Sequence, residues 1–202
     1  MTKSICALAH KPGNTRGEFQ TYYEEHHVPL AISHFPFSGY ARNHVAEGGD
    51  FQWDTISEFW ADNIQEAAAL MAGPIGEIMA ADEERFMNRS LIASAGVEEV
   101  ILTAGSRADS DGRRTAILVQ EQDAIATGDL RASVMDCAAR VARDLSGVSV
   151  DFTSNWTERA FPAKAVIWFP GWQEPSLAAV GLATQILRVC HVETLEARLL
   201  GG

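Results

Sequence analysis

The chain has 202 residues, 47% of them hydrophobic, and a formal net charge of −11 at pH 7. That length and apolar fraction support a real core and exclude a disordered polar chain. The acidic balance argues against a nucleic-acid or anionic-membrane partner, and no apolar run approaches the ~20 residues of a membrane span.

The opening MTKSICALAHKPGNTRG lacks a signal-peptide pattern, and Cys6, Cys137 and Cys190 are odd in number and widely spaced. Together these features point to reduced thiols in a cytoplasmic protein. Residues 4–10, SICALAH, form a short apolar run ending at the turn signal KPGN, which predicts a strand. Thr15 and Glu18 have capping-box spacing, so a helix starts near Arg16, and Pro29 ends or kinks it near His27. In YARNHVA, Tyr40, Arg42 and His44 alternate with Ala41, Asn43 and Val45, the period of a strand. DTISEFWA reads the same way. Asp62 with Gln65 caps a second helix, broken at Gly73-Pro74, and a further short helix starts at Asp82. GVEEVILT, from Gly96, completes a βαββαβ order.

AGSRADSDGRR, residues 104–114, is the best linker in the chain. Beyond it TAILVQ is a strand, DLRASVMDCAARVARDL an amphipathic helix starting near Asp129, and GVSVDFTSNW and AKAVIWFPGW two further strands. EPSLAAVGLATQ then reads as a helix and ILRVCHVETL as the last strand. The expected fold class is α+β, with two tandem ferredoxin-like βαββαβ units at 1–103 and 115–202. Each antiparallel sheet carries its helices on one face, so the two bare faces would cover each other as an intrachain α+β barrel with helices outside.

FQTYYEEHHVPLA resembles the EthD pattern, an aromatic four residues before a His-x-Pro-Leu, here Tyr23, His27, Pro29 and Leu30. Asp54, Phe59, Asp82, Glu83 and Phe86 also stand where that family places such residues, and the resemblance covers residues 4–102. It implies the dimeric α+β barrel fold, whose relatives include cofactor-free isomerases, dehydratases, cyclases and decarboxylases, small monooxygenases and haem-binding enzymes. A helix histidine and a strand-two tyrosine serve the active site in one such relative, and the matching positions are His27 and Tyr40.

The expected site therefore has His27 and Tyr40 as catalytic residues, with Tyr23, Arg42, His44, Phe59 and Trp60 binding substrate. His27 would move a proton, Tyr40 would donate to a developing oxyanion, and Arg42 would grip a carboxylate. Trp156, Trp168 and Trp172 are further candidates for pocket walls, and His191 a second-half candidate. Adjacent His26-His27 cannot both face one ion from a regular helix, so no metal site is expected; His26 reads as a half-buried packing residue. Cys6 and Cys190 read as small buried strand residues. The anticipated function is a cofactor-independent lyase or isomerase acting on a small hydrophobic, aromatic carboxylate or carbonyl compound. The alternatives are a small monooxygenase or haem-binding enzyme on the same fold, or a non-catalytic ligand-binding protein. A small molecule is the expected partner, and two-half chains could pair further as homodimers.

Overall fold

A computed structural model of the chain describes residues 2–120, 127–173 and 183–200. Eight antiparallel strands close into one barrel in the order β1-β3-β2-β8-β5-β7-β6-β4. The strands are β1 Thr2–Leu8, β2 Gly39–Glu47, β3 Thr55–Ala61, β4 Ala93–Ile101, β5 Arg113–Val119, β6 Ser149–Asn155, β7 Ala165–Pro170 and β8 Thr184–Glu193. Around the ring, β4-β1-β3-β2 is followed by β8-β5-β7-β6, the same strand order twice, joined antiparallel at β2–β8 and β6–β4. The fold is α+β, with the helices outside the barrel.

Those helices are α1 Arg16–Tyr22, α2 Val28–Ile32, α3 Ile64–Ala69, α4 Pro74–Phe86 and α5 Thr127–Val141. Thr15 caps α1: Oγ1 accepts the Glu18 amide at 3.2 Å while Glu18 Oε2 accepts the Thr15 amide at 2.7 Å. The expected end or kink near His27 takes the form of an irregular turn, after which the helix continues. Residues Tyr23–His27 form one π-helical turn, with the Val28 amide reaching Tyr23 O, and Pro29 sits in the first turn of α2. The wider turn relieves the clash a proline ring makes with the preceding turn of a regular helix. Asn63, not Asp62, caps α3, its Oδ1 accepting the amides of Gln65 and Glu66. Asp82 starts no helix. Gly73-Pro74 opens α4, where a proline at the first position costs no hydrogen bond, and Asp82 lies inside it. The helix expected over 174–185 falls largely outside the described residues, and Thr184 and Gln185 already belong to β8.

Strand alternation separates two cores. Ile5, Ala7, Val45, Ile56, Ala93, Ala95, Ala116, Leu118, Val166, Trp168, Leu187 and Val189 form one buried cluster inside the barrel. An eight-stranded barrel encloses just enough space for side chains to fill. The lumen is therefore a packed core, not the chamber that two facing sheets suggest. Tyr40, Ala61, Phe19, Tyr23, Ile64, Met79 and Phe86 belong to a separate cluster between the outer face of the first four strands and their helices. Under α5, Val134, Cys137 and Ala138 pack with Ile117, Val119, Ile167 and Phe169. The segment expected as a linker is pinned: Arg107 reaches Glu99 at 2.9 Å and covers the Trp60 ring at 4.6 Å. β5 begins within that segment, at Arg113. No described helix is long and apolar enough to cross a membrane.

Candidate functional site

The π turn presents Tyr23 and His27 on one side of the helix, with ring centroids 4.9 Å apart. Both are buried: Tyr23 is 0% exposed and His27 6%. From α4, Asp82 Oδ2 lies 2.8 Å from His27 Nδ1, and its Oδ1 accepts the Tyr22 hydroxyl at 2.8 Å. The hydrogen bond from His27, aided by the Tyr22 hydroxyl, holds the Asp82 carboxyl below its ordinary range against the opposing effect of burial. An ionised Asp82 can only accept, so Nδ1 carries the proton. Neutral His27 then has its lone pair on Nε2, which has no hydrogen-bond partner among the described residues. A histidine whose second nitrogen is fixed by a carboxylate is oriented for proton transfer through the first.

His27 lines a cavity of about 260 Å³ between the helices and the outer sheet face. Tyr40 and Phe59 form the sheet wall, with Phe37, Leu8 and Met79 around them. The Tyr40 and Tyr23 hydroxyls are 2.7 Å apart, and Tyr23 continues to Ser57 Oγ at 2.8 Å. Burial pushes both phenols well above their ordinary range, so they stay protonated donors. Cys6, half-buried on β1, also lines the cavity. Burial pushes its thiol up to about 12, which leaves it a poor nucleophile near neutral pH. From α4 and the following turn come Glu83 and Arg89, joined by Nε to Oε2 at 3.0 Å. Burial raises the Glu83 carboxyl above the ordinary range in spite of its cationic neighbours.

The expected residues divide. His27, Tyr40, Tyr23 and Phe59 meet at this cavity; Arg42, His44 and Trp60 are not among its walls. Arg42 and His44 share the outward face with Tyr40, but Glu24 binds both. Arg42 Nε and Nη2 reach its two oxygens at 2.9 and 2.7 Å, and His44 Nε2 reaches Oε1 at 2.7 Å. Arg42 also donates to Thr194 Oγ1 at 2.6 Å. Glu24 is thus the partner of these two residues, and Asp82 the partner of His27. Burial opposes ionisation of Glu24, but hydrogen bonds from His44 and Arg42 prevail and lower it to about 2. Trp60 follows Phe59 on β3 and so points through the sheet to its other side, over the Lys3 ammonium at 4.9 Å.

Among the tryptophans, Trp156 lines the cavity, Trp168 is buried in the lumen, and Trp172 donates to Val189 O at 3.0 Å. Gly96 makes room for Trp156: a Cβ there would sit 2.7 Å from the indole nitrogen. His26 is exposed and packs tilted against the Tyr22 ring with centroids 4.7 Å apart, and Cys190 is exposed as well. His191 bonds Asn43 Oδ1 at 2.8 Å and Glu193 Oε1 at 3.1 Å. Glu83, Arg89 and Trp156 extend the site beyond the residues anticipated as catalytic or substrate-binding. Among the described residues, no three or more His, Cys, Asp or Glu side chains cluster to hold a metal.

Residues 11–90 match the family described as EthD domain. No curated protein matches the sequence. Among solved structures, a Lactobacillus acidophilus NCFM protein provisionally named a monooxygenase is 12% identical, with 96% of each chain covered and a TM-score of 0.54. An anthrone oxidase-like protein is 13% identical, covering 95% of this chain and 93% of its own, with a TM-score of 0.54. A further protein provisionally named a monooxygenase, from Fusobacterium nucleatum subsp. nucleatum ATCC 25586, is 8% identical over 94% and 92%, with a TM-score of 0.52. These likenesses are of fold: the dimeric α+β barrel, here closed by one chain. The matched segment supplies His27, Tyr40, Glu83 and Arg89 to the cavity and Asp82 behind His27, while Cys6, Leu8, Ser94 and Trp156 are among the walls from outside it.

Proposed function

We propose that this protein is an enzyme whose His27 moves a proton on a small, flat, largely apolar molecule bearing a carboxylate or enolisable carbonyl. The observation that carries the reading is the buried Asp82–His27 pair: His27 lines a mostly apolar cavity, and its Nε2 has no hydrogen-bond partner among the described residues. Removal of a proton by Nε2 would leave charge on the substrate, and the Tyr40–Tyr23–Ser57 hydroxyl chain offers donors to an enolate or phenolate oxygen. Dry walls strengthen both interactions. Decarboxylation, dehydration, cyclisation and lactone rearrangement all fit this equipment, as the acid–base steps of a cofactor-independent lyase or isomerase.

Oxygenation is the second reading, favoured by the names of the fold neighbours, monooxygenase and anthrone oxidase-like. It would begin with the same deprotonation and differ in what the carbanion meets next. Exchange of substrate C–H for solvent deuterium, followed by NMR over a panel of enolisable aromatic acids and ketones, tests the shared step. Wild-type protein should catalyse exchange, and His27→Gln should slow it ~100-fold or more. Unchanged exchange in folded His27→Gln removes His27 from the chemistry. Oxygen consumption with the same panel separates the two readings.

A further inference from the structure

The expected carboxylate anchor, Arg42, is consumed by Glu24 and Thr194. Among the residues lining the cavity, Arg89 is the single permanent cation. Its side chain is 44% exposed, and among the described residues it makes one hydrogen bond, Nε to Glu83 Oε2 at 3.0 Å. Glu84 Oε1 lies 3.7 Å from Nη1, beyond hydrogen-bond range. Most of a five-donor fork is therefore uncommitted, at the wall of a mostly apolar cavity. Glu83 is the reverse case. It is 7% exposed, its Oε1 accepts no hydrogen bond among the described residues, and Arg89 is the one cation that bonds it.

We infer that the substrate is a carboxylate and that its acid group takes Arg89 from Glu83 on binding. The inference rests on the acid–base reading for the location of the reacting centre, and on the Glu83–Arg89 pair for the anchor. An incoming carboxylate can engage the fork through two parallel hydrogen bonds, which Glu83 does not do. Glu83 then loses its cation and faces the Asp82 carboxylate, the His27 imidazole and the Cys6 thiol. A buried carboxyl without a counter-charge takes up a proton. One anion enters, one proton follows, and the cavity wall keeps its net charge. A neutral ligand gives no reason to open the pair. With about 260 Å³ available, the body of the acid is one or two fused rings.

The test is calorimetric, with 2-naphthoate and its neutral isostere 2-naphthamide as probes, each titrated in two buffers of different ionisation enthalpy near pH 7. Wild type should bind the acid at least ~10-fold more tightly than the amide and take up close to one proton with it. Arg89→Gln should erase the preference while leaving amide affinity in place. Glu83→Gln, which removes the internal competitor, should tighten the acid ~10-fold and abolish proton uptake. Equal affinity of wild type for acid and amide, failure to bind either, preference retained in Arg89→Gln, or uptake retained in Glu83→Gln each overturns the anchor. His27→Gln should keep the preference for the acid. Loss of deuterium exchange there, or its absence in wild type, therefore bears on the acid–base reading and not on Arg89.

Discussion

Two regions of this molecule bury charge, and they do so to different ends. In the barrel lumen, the Lys3 ammonium lies 2.7 Å from Glu58 and from Asp151 and 2.8 Å from Glu99. Arg114, fully buried, pairs with the other Glu58 oxygen and stacks on Trp168, whose indole donates to Asp151 at 2.8 Å. Burial would lower the Lys3 pKa, but these carboxylates together hold it above its ordinary value. Burial likewise opposes ionisation of Glu58, yet Arg114 and Lys3 keep it well below the carboxylate range. Each of these charged groups lies against one of opposite sign, although Arg114 Nε and Nη2 bond nothing among the described residues. On the outer face, the Asp82–His27 pair leaves Nε2 without a hydrogen bond among the described residues, and His27 lines a cavity. Paired burial makes scaffold; an incomplete pair beside empty space can do chemistry.

Breaking the lumen should have the largest effect on stability. Lys3→Met strands Glu58 and Asp151 without their shared cation and should cost about 3–5 kcal/mol in denaturant unfolding. If the comparison holds, the surviving folded fraction keeps full cavity binding. Next comes the cavity pair: Asp82→Asn should reduce exchange ~10–100-fold through loss of His27 orientation, with a smaller stability loss than Lys3→Met. Equal losses of stability and activity in both variants would dissolve the distinction.

Glu24 tests an intermediate case, an ion pair beside the site but outside it. Its carboxyl titrates at about 2 in the folded protein against an ordinary 4.5. The depressed value means that its contribution is full above pH 4.5 and is lost as pH falls toward 2. Glu24→Gln should flatten that part of the stability–pH curve. At pH 7 it should cost about 2–3 kcal/mol, less than a fully buried pair because Glu24 retains some solvent. The smallest effect belongs to Trp156, the contribution of the second half to the cavity. Trp156→Ala should weaken an aromatic ligand by about 1 kcal/mol and leave exchange at saturation unchanged.

Much of this arrangement was readable in the sequence, and what was not has physical causes. The α+β class and the barrel of eight strands followed from the repeated element order, while the order of strands around the ring did not. Alternation placed Tyr40, Arg42 and His44 on one face correctly, but every residue from Tyr40 to Val45 is buried. Hydrophobicity therefore could not say which face turned inward. The outward face proved to lie under a helix layer, neither in the lumen nor in solvent. Pro29 marked the helix irregularity near His27, but not that it would be a π turn with helix resuming beyond it. Asp82 looked like a cap because Asp commonly starts helices; in α4 its side chain is instead committed to His27 and Tyr22. Arg42 and Glu24 illustrate the limit most plainly, since only coordinates reveal which carboxylate answers which base. Of the tryptophans expected as pocket walls, Trp156 lines the cavity, while Trp168 fills the lumen because alternation alone does not say which strand face turns inward.

The central claim is that Asp82 fixes the His27 tautomer so that Nε2 offers its lone pair to the cavity. Nitrogen-15 NMR of the imidazole measures this directly. The account predicts, for neutral His27, a proton on Nδ1 and a pyridine-like Nε2, a preference that Asp82→Asn relaxes. A neutral His27 protonated at Nε2, with the same spectrum in Asp82→Asn, would contradict it.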